Sequence, residues 1–216
     1  MHSTRSQIPR NWPVPRKGTK YVVIASHARK IGIPLRVVLR DILKLARTAK
    51  EAKYIIANKE VKINNKIRWD EKFPVRVFDI VSIDKLGKNY RMEISNRKFI
   101  LKEISAREAD KKIVKIVGKK MLGDKKIQMS LEDGTNFISK EKFSCGDSAV
   151  MNLKENKVDK ILGLKTGAKI EVVSGKHMGK KGKLDEIIEH GREKMFKIKI
   201  NDEEAVLPMR TILVIE

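Results

Sequence analysis

The chain has 216 residues, 41% of them hydrophobic, and carries 49 Lys and Arg against 27 Asp and Glu, a formal charge of +22. The apolar share supports buried cores and excludes global disorder. The charge excess repels itself in a compact state and calls for a polyanionic partner, nucleic acid before an anionic membrane. No apolar run approaches the ~18–20 residues that span a bilayer, and the N-terminus lacks the apolar core of a secretory signal. A single cysteine, Cys145, leaves no internal disulfide and no cysteine-based zinc site. It is expected as a small buried hydrophobe in a reducing, cytoplasmic compartment.

The first 40 residues contain nine Lys or Arg and no acid. Pro9, Pro13 and Pro15 forbid regular structure around them. Trp12 and Tyr21 sit among Arg10, Arg16, Lys17 and Lys20. Residues 1–32 are therefore expected as a basic extension that orders against RNA, with Trp12 stacking on an exposed base or packing in a groove.

Leu35, Val38, Leu39, Ile42, Leu43 and Ala46 recur at i, i+3, i+4, i+7 and i+8, the spacing of one apolar helix face, with Pro34 at the first position. Arg36, Arg40, Lys44 and Arg47 fall in a stripe away from that face. Thr48-Ala49-Lys50-Glu51 is a capping box that opens a second helix, with Ala52, Ile55 and Ile56 apolar and Lys50 and Lys53 pointing elsewhere. Val61 and Ile63 alternate with Lys62 and Asn64, and Asn64-Asn65 offers a tight turn into Ile67. Asp79–Ile83 reads as a strand and Asp84–Asn89, with Gly87, as a turn.

Residues 90–165 read as mostly β. Strands are expected at Tyr90–Ile94, Phe99–Ile104, Ile113–Val117, Ile127–Leu131, Asn136–Ile138 and Ser148–Leu153. Turns are expected at Asp133-Gly134 and Gly146-Asp147, and a short helical turn after Ser105. Residues 166–216 read as a small barrel of five short strands: Ala168–Val173, Leu184–Glu189, Phe196–Ile200, Ala205–Leu207 and Ile212–Ile215. Turns at His190-Gly191 and Asn201-Asp202 separate them. Between the first two strands, residues 174–183 form a glycine-rich loop with Lys176, Lys180, Lys181 and Lys183 and no acid. Glycine permits close backbone approach, and amides with lysines meet phosphates.

The charge falls along the chain: net +13 over residues 1–83, +8 over 84–165 and +1 over 166–216. The whole reads as an α+β chain, mostly β. It comprises a basic N-terminal extension (1–32), a helix–helix–hairpin unit (33–84), a central β domain (85–165) and a C-terminal barrel (166–216).

Several strings resemble known families. Gly175, Gly179 and Gly182, after one strand and before another, resemble a KOW motif in an SH3-like barrel. Leu45–Ala52 with Val61–Asn64 resembles the αL RNA-binding motif, departing from it at Ala49, where many members carry Arg, and at Asn65, where many carry Gly. The order of basic arm, αL motif, β domain and KOW barrel resembles the e-type, archaeal and eukaryotic, small-subunit ribosomal protein four, in its short archaeal form. Pro9–Lys17, Thr48–Lys53, Phe73-Pro74, Asp79–Ile83, Leu131–Asn136 and Gly146-Asp147 sit where that family has similar strings.

The resemblance implies a structural, non-catalytic protein of the small ribosomal subunit, bound to its ribosomal RNA and to neighbouring subunit proteins, in the cytoplasm. It implies no cofactor, metal, membrane or small-molecule substrate. The RNA-binding residues expected are Arg5, Arg10, Trp12, Arg16, Lys17, Lys20, Arg36, Arg40, Lys44, Arg47, Lys50, Lys53, Lys176, His177, Lys180, Lys181 and Lys183. The sequence leaves two alternatives. An RNA-modifying or aminoacylating enzyme needs a catalytic domain and clustered ligands, whereas His2, His27, His177 and His190 are scattered. A KOW-bearing transcription or RNA-processing factor has no use for the basic arm and the αL motif.

Overall fold

The computed structural model describes residues 2–29, 31–122, 126–139, 141–190, 193–200 and 203–215, without the side chains of 189, 190 and 193. The fold is mostly β with few helices, in two compact units, Met1–Asp110 and Lys111–Glu216.

In the first unit, β1 (His2–Thr4) pairs antiparallel with β2 (Tyr21–Val23). β3 (Ile33–Pro34) leads into α1 (Leu35–Val37) and a π turn (Val38–Ile42). α2 (Ala49–Ala57) follows. Next come β4 (Val61–Ile63), β5 (Lys66–Ile67), β6 (Pro74–Val75), β7 (Ile80–Ile83), β8 (Lys88–Ser95) and β9 (Lys98–Ile104). Five of these form one sheet in the order β5-β4-β7-β8-β9, and β3 pairs with β6. Two hairpins have both central residues in the left-handed region, Asn64-Asn65 at φ 51 and 61 and Asn96-Arg97 at φ 49 and 61. That conformation matches the twist of the flanking strands. Asn64 also builds the core. Its Nδ2 donates to Asp79 Oδ1 at 2.8 Å, its Oδ1 accepts from the Ile80 amide at 3.0 Å, and Asp79, 3% exposed, accepts from the Arg76 amide at 2.7 Å.

The second unit holds two five-stranded antiparallel sheets. The first runs β12-β11-β10-β13-β14, from β10 (Lys111–Met121), β11 (Ile127–Leu131), β12 (Asn136–Ser139), β13 (Ser148–Asn152) and β14 (Lys157–Leu162). The second runs β18-β17-β16-β15-β19, from β15 (Lys169–Val172), β16 (Lys181–His190), β17 (Glu193–Ile200), β18 (Glu203–Pro208) and β19 (Ile212–Val214). Separate apolar clusters back the sheets: Val114, Ile116, Met129, Leu131, Phe143, Ala149 and Met151 in one, and Ile170, Val172, Leu184, Phe196, Ile198 and Ile212 with others in the second. Lys115 ties them together. Its buried ammonium donates to the carbonyls of Met209 and Ile212, and burial pushes its pKa down.

Several expectations are corrected. The first helix does not run from Leu35 to Arg47. It ends after the π turn, Lys44 takes φ 55, and the Leu45 amide closes back on the Leu39 carbonyl at 2.9 Å. Val37, Val38 and Ile42 are β-branched and poor helix formers, and α1 has no side-chain cap. Its first free amides are satisfied instead by the Phe73 and Glu71 carbonyls, at 2.9 Å each. The expected boundary at 84/85 falls inside one sheet, because β7 pairs with β8 across the turn that Gly87 (φ 62) completes. β14 was not expected; a register shift between Val150 and Met151 breaks its pairing with β13, and with it the alternation that would mark a strand. Cys145 is exposed, not buried. Of the expected turns, Gly191 and residues 201–202 lie outside the described residues.

Candidate nucleic-acid interface

The expected RNA-binding residues fall into three groups. The N-terminal group is an ordered segment. Arg5 Nε donates to the Thr19 carbonyl at 2.7 Å, Nη1 to the Pro15 carbonyl at 2.5 Å and Nη2 to Thr19 Oγ1 at 2.8 Å. Arg5 thus clamps residues 15–19. Trp12 is 3% exposed, so its ring packs inside the unit and presents no face for stacking. The Phe99 amide donates to the Asn11 carbonyl at 2.9 Å and holds this segment against β9. Arg10, Arg16, Lys17 and Lys20 remain exposed, with the Lys20 ammonium 5.4 Å from the centre of the exposed Tyr21 ring.

The second group surrounds α1 and α2. The continuous cationic stripe is not formed. Arg36 pairs with Glu71 at 3.3 Å with its side chain 14% exposed, and Arg40 pairs with Asp41 at 2.8 Å. That hydrogen bond to Asp41 raises the Arg40 pKa above its ordinary value. The π turn and the left-handed Lys44 carry Lys44 and Arg47 off the helix altogether. Lys44, Arg47, Lys50 and Lys53 are exposed. Their placement rests on the capping box, which forms as the spacing predicts. Thr48 Oγ1 accepts the Glu51 amide at 3.2 Å, and Glu51 accepts the Thr48 hydroxyl at 3.0 Å and the Arg47 amide at 2.8 Å. The Arg47 amide, with the Thr48 hydroxyl, holds the Glu51 carboxyl below the usual carboxylate range. Ala52 and Ile56 bury one face of α2, leaving Tyr54 68% exposed on another. The sequence reading passed over Tyr54 and over Trp69, 62% exposed, which has the Lys59 ammonium 4.9 Å from its ring centre. An aromatic directly after a cation, Lys53-Tyr54 and Arg68-Trp69, was the available signal.

The third group is the loop between β15 and β16. Gly175 and Gly179 have φ 94 and 83, and the Gly179 amide donates to the Val172 carbonyl at 2.7 Å. Gly182 serves a different end: a Cβ there would sit 2.5 Å from the Lys199 carbonyl, so its absence lets β16 lie against β17. Lys176, Lys180, Lys181 and Lys183 are exposed and His177 is half-buried. Lys180 pairs with Glu203 at 3.0 Å and Lys181 approaches Glu171 at 3.8 Å, whereas Lys176 and Lys183 have no ion pair among the described residues. Lys180, aided by His177 and Lys176, lowers the Glu203 pKa.

Among the described residues no His, Cys, Asp and Glu group could hold a metal ion, and no helix is long and apolar enough to cross a membrane.

A family model described as Ribosomal family S4e matches residues 86–158. The small ribosomal subunit protein eS4 of Methanocella arvoryzae is 38% identical over 190 residues, covering 86% of this chain and 80% of its own. Its counterpart from Pyrobaculum islandicum is 34% identical over 222 residues, covering 99% of this chain and 92% of its own. The crystal structure of the 30S ribosomal protein S4e from Thermoplasma acidophilum superposes with a TM-score of 0.73 at 24% identity, covering 85% of this chain and 94% of that one. On identity sustained across most of both chains, this protein belongs to the eS4 family of small ribosomal subunit proteins.

Proposed function

We propose that this chain is a structural constituent of the small ribosomal subunit that binds ribosomal RNA without bond chemistry, alongside neighbouring subunit proteins. The observation that carries the reading is the eS4 match along nearly the whole chain. The exposed cations agree with it. The helices and hairpin within residues 33–84 act as an αL-type RNA-binding motif, 166–216 as a KOW-type SH3-like barrel and 1–32 as a basic extension. The grip comes from Arg10, Arg16, Lys17 and Lys20, from Lys44, Arg47, Lys50 and Lys53, and from Lys176 and Lys183. Tyr54 and Trp69 offer faces for unpaired bases. Arg5, Arg36, Arg40 and Trp12 hold the structure that presents these groups.

Phosphate contact releases counterions, so association must weaken steeply with salt. Sedimentation of native extract tests the reading. Co-migration with the small subunit at low salt and release at high salt supports it. Co-purification with RNA polymerase, absent from the subunit fraction, would replace it with a transcription factor.

A further inference from the structure

The N-terminal segment and β9 enclose a cleft of about 90 Å³ whose lining includes Arg5, Arg10, Arg16 and Lys98 together with Trp12 and Pro15. No carboxylate lines it. Arg5 is committed to Thr19 and Pro15, but Arg10, Arg16 and Lys98 make no ion pair or side-chain hydrogen bond among the described residues. Cations gathered around one cleft repel each other, and a bound anion turns that cost into attraction. A small cleft ringed by cations and free of carboxylates has the chemistry of an oxyanion seat.

The cleft is also set before any ligand arrives. Arg5 clamps residues 15–19, Pro9, Pro13 and Pro15 fix φ on either side of Trp12, and the bond from the Phe99 amide to the Asn11 carbonyl places the segment beside Lys98. A site held in place this way loses little entropy on binding. Lys98 belongs to a hairpin 82 residues after Arg16 and carries no signal in the sequence.

We propose that this cleft seats a single phosphate of the RNA backbone, held jointly by Arg10, Arg16 and Lys98. The proposal rests on the RNA-binding reading above and adds a stoichiometry: three cations, one phosphate. Three lysines or arginines on three phosphates each add ~0.7–0.9 to the slope of log K against log salt, whereas three sharing one phosphate add that amount once.

The test uses the full chain, its small-subunit ribosomal RNA transcript and inorganic phosphate as separate probes. Lys98→Gln and Arg16→Gln are made singly and together, with Lys98→Arg as the charge-conserving control. The expected result is a slope lowered by no more than ~0.7–0.9 even in the double variant, with RNA affinity at fixed salt falling in each single Gln variant and kept in Lys98→Arg. Inorganic phosphate should raise the melting midpoint of the wild-type chain above that in chloride of equal ionic strength, and not that of the double variant. A double variant that loses twice the slope assigns the cations to separate phosphates and overturns the shared seat. Unaltered slopes together with unaltered RNA affinity in all variants, and no stabilisation by phosphate, overturn the cleft while leaving RNA binding intact. Stabilisation by phosphate with unaltered RNA slopes and affinity makes it a site for free phosphate only and overturns the backbone seat. A wild-type chain with no salt-dependent RNA binding overturns both readings.

Discussion

Converting Lys44, Arg47, Lys50 and Lys53 together to Gln should weaken RNA binding without unfolding the protein. All four are exposed, so the substitutions leave no cavity, and Ala52 and Ile56 still bury the inner face of α2. At ~0.7–0.9 per phosphate, four lost contacts make the salt slope shallower by about 3. The wild-type advantage should then shrink about 60-fold between 50 and 200 mM salt. Arg36→Gln with Arg40→Gln removes two positive charges that Glu71 and Asp41 already neutralise. That variant should keep the wild-type slope and lose stability instead, about 1 kcal/mol for these half-buried pairs, or ~2–4 °C in midpoint for a chain of this size. Filter binding to the small-subunit ribosomal RNA across the salt series reads the slopes, and circular dichroism melts read the stabilities. A slope flattened in the Arg36 and Arg40 variant and not in the fourfold variant would refute this assignment of the cations.

Three further outcomes follow from the packing. Trp12→Ala should cost ~3–5 kcal/mol in denaturant unfolding, because a ring 3% exposed leaves a cavity; a loss of RNA affinity with unchanged stability would restore Trp12 to a stacking role. Gly182→Ala should destabilise the second unit by ~1–3 kcal/mol, since its Cβ meets the Lys199 carbonyl at 2.5 Å; a neutral result in a thermal melt would contradict the close strand approach. Asp133 is a test in pH. Burial alone would raise its pKa, but the Lys112 ammonium at 2.9 Å and the Thr135 hydrogen bonds outweigh burial and lower it. A depressed carboxylate stabilises the fold above its unfolded pKa of ~3.9 and loses that contribution as pH falls through the folded value. Wild-type stability should therefore drop below about pH 4 more steeply than that of Asp133→Asn, and parallel curves would refute the pairing.

Local chemistry made part of this structure readable from sequence. Thr48 and Glu51 cap a helix through bonds within four residues, and Asn64-Asn65 turns the chain because both tolerate left-handed backbone. The glycine loop and the five strands around it follow from spacing in the same way. Partners distant in sequence decided what was missed. Arg36 and Arg40 read as a free cationic face, yet Glu71, 35 residues on, claims the first and the neighbouring Asp41 the second. Arg5 reads as a phosphate ligand, yet its donors meet carbonyls 10 and 14 residues away. Trp12 reads as a side chain that stacks on a base or packs in an RNA groove, yet the protein's own packing buries it. The helix from Leu35 keeps its apolar period through Ala46, but a π turn stops it early, and periodicity carries no sign of that.

The most direct measurement of the central claim is ultraviolet crosslinking of the native small subunit followed by peptide mapping. The account predicts crosslinks to ribosomal RNA in peptides containing Lys44–Tyr54, Lys176–Lys183 and Arg10–Lys20, and none at Arg36 or Trp12. Crosslinks concentrated at Arg36, Arg40 and Trp12, or none to ribosomal RNA anywhere in the chain, would contradict it.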